Sequence, residues 1–380
     1  LLSPGALLAQ MTDRLVLLSD GPRDAPIRQQ TMEAAIAWSY DLLAPAEQRL
    51  LRALAVFAGG FTLEAVRSVA TPDEATFDEG LRRLSALVAQ SLVQHAGGEG
   101  ETRFFLLETI RAFALKHLRA AGEEAHLRER HAAWFRELAT SQQAWVAIFL
   151  PNGGEILDRL AEDHANLQGA LTWLRASGDI AGLLELSAEL VSYWYLRGRL
   201  REGREWLEWG LAHAKGAPPV SIAHAQAALS HLARHQHDSA RALELCEDSL
   251  RHYRASGDGA RIARAAAHAA VTSLDVASTD TTDAYVTEAK AAFAQLTSEP
   301  WARSASRQLQ LLPGVVAKNR GDVALAETLV GDLVAAQRQR ARESGSAEAT
   351  SCWPLFVWGA VAQLAGNFPL AFARYQASLD

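Results

Sequence analysis

The sequence predicts a mainly α protein: a small winged-helix domain followed by an α-solenoid of tetratricopeptide-like helical hairpins. Three observations predict it. Ala and Leu dominate, and only 12 of the 380 residues are Pro, a bias toward helix. Residues 28–121 carry helical patterning with one β-hairpin signal near its end. Beyond Glu123 the patterning is helical throughout, interrupted by Gly and Pro at recurring offsets.

Residues 1–27 hold a short amphipathic stretch from Leu7 to Leu18 and then a polar loop, Ser19 to Asp24. A helix is expected from Thr31 to Leu43, with Met32, Ile36 and Tyr40 on one face. Pro45 suits the first turn of the next helix, where its missing N–H costs nothing. That helix carries Leu50, Leu51, Leu54 and Phe57, and Gly59-Gly60 stops it. Thr62 caps a short helix, and another runs from Phe77 to Val88. Leu92–Gln94 and Arg103–Leu106 flank Gly97–Gly100, which reads as a hairpin with a glycine-rich turn. A helix from Glu108 to about Ala120 closes the unit. Helices followed by a hairpin and a helix describe a winged helix.

Residues 122–215 read as a helical linker and a first repeat, and residues 216–380 as tetratricopeptide-like repeats. In the last repeat Gly359 precedes Gly366 by seven residues, and Ala371, Tyr375 and Ser378 follow Gly366 at offsets of five, nine and twelve. Gly314, Gly321, Ala326, Val330 and Leu333 repeat that spacing. His237, Ala242, Cys246 and Ser249 take the same offsets, as do Gly198, Gly203, Leu207 and Gly210. Small residues at these offsets let the helices of a hairpin approach, and the larger residue at offset nine is expected to fill the gap between hairpins. Such a unit cannot bury its apolar face alone, so neighbours stack. Pro313 falls inside an expected helix and should kink or break it.

Composition excludes several classes. With 49% hydrophobic and 21% charged residues the chain can bury a core and is not of the disordered type. A net charge of −7 lacks the basic surplus of a phosphate-gripping protein. The two cysteines, Cys246 and Cys352, cannot form a disulfide framework or a paired metal clamp, which fits a reducing, cytoplasmic setting. No run reaches the length of a membrane span. The chain starts at Leu1 and ends at Asp380 within a helical pattern, and is read as an excerpt of a longer protein.

Candidate chemistry is sparse. His235, His237 and Cys246 would supply too few convergent ligands for zinc, so no metal site is expected. No nucleophile elbow occurs, and no catalytic residue is expected. Trp173, Trp194, Trp206 and Trp209 are read as packing between helices. The helix from Phe77 to Val88 offers Arg82 and Arg83 beside Asp78 and Glu79, a weak set for the major groove. In the repeats, the first helix of each hairpin would line a partner-binding groove. Gln308, Leu311, Val315 and Lys318 would face it in one repeat, and Trp353, Phe356, Ala360 and Gln363 in the next.

Two runs carry a family likeness. Ala37-Trp38-Ser39-Tyr40-Asp41-Leu42-Leu43 continues through Val56-Phe57-Ala58-Gly59-Gly60-Phe61-Thr62-Leu63. Leu106-Leu107-Glu108-Thr109-Ile110-Arg111 forms the second, with Glu162–Leu167 and Trp194–Gly198 in support. The chain resembles the bacterial STAND signalling ATPases that accompany LuxR-type and AfsR-type transcriptional regulators, over roughly residues 1–260. The resemblance implies an upstream ATP-binding module acting in cis, of which residues 1–27 would be the last piece. It also implies a winged-helix connector and a repeat sensor for a protein or peptide effector. No GxxxxGK[ST] run occurs, so ATP or ADP is implied for the parent protein and not for these residues. The family's nucleotide-contacting histidine position falls in Leu107–Thr109, where no histidine stands. Glu108 and Arg111 remain as nucleotide-sensing candidates, against the simpler reading that Glu108 favours a helix N-terminus. The expectation is a non-catalytic regulatory arm that contacts neither nucleic acid nor membrane, the alternative being a passive scaffold without nucleotide coupling.

Overall fold

The computed structural model describes residues 32–71, 77–96, 102–150, 152–296, 298–344 and 352–378. The stretches read as a nucleotide-module remnant (residues 1–27) and as the wing turn (Gly97–Gly100) lie outside them. Among the described residues the chain is mainly α-helical and forms two compact units. One comprises residues through Gln142 with Glu155–Leu186; the other comprises Gln143–Gly154 with the residues from Ser187 onward.

In the first unit, α1 spans Met32–Asp41 and α2 spans Pro45–Leu54. Pro45 sits in the first turn of α2, and Glu47 reaches back to accept from the Ala44 N–H at 2.9 Å, which starts the helix. β1 (Phe61–Thr62), α3 (Leu63–Val69), α4 (Phe77–Ala89), β2 (Gln94–Ala96), β3 (Arg103–Phe105) and α5 (Glu108–Ala120) follow. Thr62 Oγ1 caps α3 by accepting from the Ala65 N–H at 3.2 Å. The sheet order is β1-β3-β2, antiparallel throughout, with Phe61 opposite Phe104 and His95 also opposite Phe104. β1 adds a strand to the expected hairpin. Helix, strand, two helices and two strands in that order make α2–β3 a winged helix. Leu50, Leu51 and Leu54 on α2 recur at helical spacing and are buried, as are Leu84 and Leu87 of α4, Phe113 and Leu118 of α5, and Phe57, and α2 packs on both α4 and α5. Each such side chain contributes about 1.5–3 kcal/mol. The unit continues through α6 (Glu124–Ser141), α7 (Gly153–Glu162) and α8 (His164–Ser177), and into α9 (Ile180–Glu189).

The second unit opens with a 3₁₀ helix, Ala144–Phe149, and continues through α10 (Val191–Leu196), α11 (Leu200–Ala212), α12 (Pro219–His235), α13 (Ser239–Ser256), α14 (Gly259–Val276) and α15 (Thr279–Ala294). α16 (Pro300–Leu309), α17 (Leu312–Asn319), α18 (Val323–Ser344), α19 (Cys352–Leu364) and α20 (Phe368–Gln376) complete it. These are the stacked hairpins of the solenoid. As Pro313 requires, the expected helix across residues 308–318 is split: α16 ends at Leu309, and Pro313 lies in the first turn of α17.

The repeat offsets have a concrete meaning. A Cβ on Gly314 would lie 2.5 Å from Val330 Cγ2, and one on Gly359 2.7 Å from Tyr375 Cδ1. Val330 and Tyr375 both stand at offset nine. That residue therefore fills the glycine hollow of the other helix in its own hairpin, and not the gap between hairpins as the spacing alone suggested.

The inter-helix turns also repeat. Gly198, His237, Gly321 and Gly366 all have positive φ, between 63° and 79°. In each turn the next residue's N–H bonds to the carbonyl five positions back, as Asp238 does to Ala233 at 3.0 Å and Asn367 to Ala362 at 3.0 Å. His237 is the departure, since a Cβ in the left-handed region is strained. His237→Gly is expected to raise stability by about 0.5–1 kcal/mol, after the extra unfolded-state entropy of glycine is subtracted. An unchanged or lowered urea midpoint would show that this turn carries no strain.

Candidate functional site

The second unit contains a recess of about 450 Å³, within the range of small-molecule sites. Four elements build most of its wall. The 3₁₀ helix supplies Trp145, Ile148 and Phe149, and Tyr195 comes from α10. α12 supplies His224, His231, Arg234 and His235, and α14 supplies Arg261, Arg264, His268 and Val271. His224, His231 and His235 are seven and four residues apart; Arg261, Arg264 and His268 are three and four apart. Both sets lie on one face of a helix. Ala263, Ala266 and Ala270 of α14 are buried on its packing side, where their small size admits the neighbouring helices. Trp145 is fixed from behind: its carbonyl accepts from Ser192 Oγ at 2.9 Å, and its ring meets Trp301 edge-on at 5.4 Å.

Three of the four imidazoles, His231, His235 and His268, form one ring cluster with Tyr195, and His224 meets a different ring. His231 lies 4.8 Å from His235, 5.1 Å from His268 and 5.0 Å from Tyr195, centroid to centroid, while His224 meets Tyr253 at 5.7 Å. Burial, reinforced by the nearby arginines, holds all four below the ordinary histidine range. His224 and His268 fall to about 3 and His235 to about 4, and His231 lies well below its usual value. They are neutral at pH 7.

The arginines keep their charge. Burial, and then Arg261 alongside, pushes Arg264 down to about 10, still protonated at neutral pH. Its guanidinium sits 5.0 Å over the Trp145 ring and 5.7 Å over Phe149, and its Nη1 has neither solvent access nor a hydrogen-bond partner within the protein. Arg261 lies 4.7 Å over Trp145, 3.4 Å from Glu189 and 3.7 Å from Asp258. Burial raises the Glu189 carboxyl against the pull of Arg261. Positive charge exceeds negative around this cavity, and its apolar and aromatic walls screen that charge poorly.

The residues singled out from sequence fall elsewhere. Glu108 and Arg111 pair with each other at the start of α5, at 2.9 and 3.1 Å, so the Arg111 guanidinium is engaged locally. Leu311 is only 2% exposed and packs with Val315, Val330 and Leu355. These positions do not line an open groove, because the glycine of α17 draws α18 down onto that face. Lys318 is half-buried. Phe356 is 54% exposed and lies 5.3 Å from Tyr375, and Gln363 accepts from the Tyr375 hydroxyl at 2.9 Å. The side chains of Gln308 and Trp353 lie outside the described residues.

His237 occupies a turn, while His235 and the buried Cys246, its thiol pushed up to about 12, both line the recess. Among the described residues no three His, Cys, Asp or Glu side chains converge as a metal site. Trp194 is 1% exposed, as packing requires, and Trp173, Trp206 and Trp209 are half-buried. Sequence reasoning missed the recess; the signal was the His/Arg stripes on α12 and α14.

Comparison with known proteins adds the following. Residues 43–119 match the family described as "Winged helix-turn-helix domain". A Mycobacterium tuberculosis protein named "Putative HTH-type transcriptional regulator" is 39% identical over 206 residues, which is 54% of this chain and 23% of that protein. An "Uncharacterized protein" from the same organism is 37% identical over 124 residues, 32% of this chain and 31% of its own length. The chain thus spans under a third of the length of these relatives. Among solved structures, BtubC from P. vanneervenii aligns with TM-score 0.42 and 18% identity, covering 58% of this chain and 89% of its own. A Pyrococcus horikoshii STAND protein with a tetratricopeptide repeat sensor aligns with TM-score 0.39 and 13% identity, covering 98% of this chain and 68% of its own. Among the described residues no helix is long and apolar enough to cross a membrane. Helix order, strand order and family match agree: residues 43–119 are a winged helix-turn-helix domain.

Proposed function

We propose that the chain is a sensor-type regulatory arm of a larger transcription-regulating or signalling protein of the LuxR/AfsR-associated STAND kind. The helical hairpins bind an effector. The winged helix relays the bound state to an ATP-binding module elsewhere in the polypeptide. The chain itself supplies no catalytic group, and ATP or ADP is held by residues outside it. The observation that carries this reading is a ligand-sized, charge-bearing recess in the repeats of a chain that also contains a regulator-type winged helix. Relay requires the effector to bind two arrangements of the arm with different affinity.

The winged helix fits a connector better than a DNA reader. Residues 43–119 contain nine basic and nine acidic side chains, so the domain has no basic surplus. Many of the basic groups are engaged within the unit: Arg83 with Glu79, Arg103 with Asp163, Arg111 with Glu108, Arg119 with Glu124 and Lys116 with Glu33. Phosphate binding needs such groups free to face the duplex. The helix-turn-helix match favours DNA contact as the second reading, through α4, where Arg82 is exposed.

Two measurements on the 380-residue chain separate these readings. Calorimetry with ATP and ADP is expected to show no binding, while the whole reading frame binds nucleotide and its turnover responds to deletion of the repeats. Micromolar nucleotide affinity in the chain alone would overturn the assignment of the phosphate site to other residues, and turnover indifferent to the repeats would leave a passive scaffold. Band-shift on duplex DNA is expected to be negative at 50–200 mM salt, and retention that weakens steeply with salt would make the domain a DNA reader.

A further inference from the structure

We propose that the recess on α12 and α14 is a binding site for a small organic monocarboxylate with a flat, apolar body. The inference rests on the sensor reading above and names the ligand class of the same unit.

The charge balance points to an anion. Arg264 projects into the recess, its Nη1 has no partner within the protein, and no carboxylate lies within ion-pair distance of it among the described residues. Arg261, one turn away, is shared with Glu189 at 3.4 Å and Asp258 at 3.7 Å. Arg264 is part-buried, with one guanidinium nitrogen reached by neither water nor a protein acceptor, and a carboxylate in the recess supplies the missing counter-charge. Since Arg261 already has its acids, the surplus at Arg264 calls for one negative charge. A phosphate dianion would exceed it.

The remaining wall sets the body of the ligand. Trp145 and Phe149 lie against the arginines and line the recess, so a flat apolar group can pack beside their rings while its carboxylate meets Arg264. His268 and His224 each carry an Nε2 without a partner within the protein. The neutral His224 imidazole can turn its one N–H toward a carboxylate, whereas His268 gives its N–H to the Ser230 carbonyl and leaves Nε2 as an acceptor. A recess of about 450 Å³ suits a small molecule and not a folded partner.

The test uses the 380-residue chain and three probes, benzoate, 1-naphthoate and octanoate, each paired with its neutral primary amide. Calorimetry is expected to show at least one acid bound at least tenfold more tightly than its amide. Arg264→Gln should abolish that preference, and Arg264→Lys should keep part of it. The ligand-free Arg264→Gln chain should melt at an unchanged or higher temperature, because an unpaired part-buried charge has been removed. A purely structural arginine would instead melt lower when replaced.

Equal affinity for acid and amide, or no binding by any of the three acids, overturns the carboxylate site and leaves the regulatory reading standing. Acid binding through Arg264 that fails to change nucleotide turnover of the whole protein leaves the site standing and removes the sensor reading.

Discussion

Replacing Arg103 by methionine is expected to destabilise the first unit by about 3–5 kcal/mol, the penalty for stranding a buried charge. Arg103 stands on β3, and its Nη2 reaches Asp163 Oδ1 at 2.5 Å and donates to the Gly60 carbonyl at 3.0 Å. Asp163 is only 4% exposed. Next to it, Asn166 accepts from the Ala58 N–H at 2.9 Å and donates to the Gly60 carbonyl at 2.8 Å and to Asp163 at 3.3 Å. One guanidinium, one carboxylate and one amide thus tie the β3 strand and the Ala58–Gly60 turn to the start of α8. Without Arg103 the carboxylate keeps only the Asn166 amide among these partners. Adding Asp163→Asn should recover at least half of the loss, since the stranded charge is then gone. Urea unfolding measures the total, and hydrogen exchange at the Ala58 and Gly59 amides reports it locally. A single-variant loss under about 1 kcal/mol, or a double variant no better than the single, would show that this network is not what fixes α8 to the wing.

That network also explains which parts of the molecule could be read in advance. The winged helix was legible because its signals are local: Pro45, Gly59-Gly60 and Thr62 mark helix boundaries, and Leu50, Leu51 and Leu54 mark a face. β1 was not legible. Two residues, Phe61 and Thr62, show no alternation, and they become a strand only because β3 pairs with them. The likeness of Glu162–Leu167 to known regulators flagged the run that holds Asp163 and Asn166, yet nothing in their spacing revealed Arg103 as the partner sixty residues away.

In the repeats, the seven-residue glycine spacing correctly marked close approach, at Gly314 and Gly359. Which face of each helix turned inward depended on what filled those hollows. Leu311 therefore went to the core although its register suggested a groove. The recess was harder still. His231 and His235 are ordinary on a helix near a turn, and Arg261 and Arg264 are ordinary on another. Only the packing of α12 against α14 under Trp145 makes them one site.

Acidification from pH 7 to pH 5 is expected to destabilise the chain severely. A histidine whose folded pKa lies below its unfolded value of about 6.5 leaves the unfolded state holding more protons between those two values, so stability falls as pH falls through that window. For His131 the window runs from about 6.5 down to about 4, and for His268 down to about 3; burial is the main cause in each. At pH 5 each has lost about 2 kcal/mol, a large share of a small domain's net stability of about 5–15 kcal/mol. His231, His224 and His235 add to the same slope, held down first by burial and then by the positive charge of Arg234, Arg261 and Arg264 on α12 and α14. Glu189 works in the opposite sense, since a carboxyl raised by burial gains stability as it protonates, but in its own unit it is one group against four histidines.

The second unit holds four of these five histidines and should open first, with the first unit, which holds His131, following at lower pH. Urea midpoints taken at half-unit pH steps, with hydrogen exchange to assign each unit, measure the order. His268→Asn should flatten the slope for the second unit whatever it does to the plateau. A midpoint that stays level from pH 7 to pH 5, or a first unit that opens before the second, would show that the imidazole cluster is not held neutral by its surroundings. A bound carboxylate should counter the same repulsion. An acid that binds through Arg264 is therefore expected to move the opening of the second unit to lower pH, while its amide leaves it unmoved.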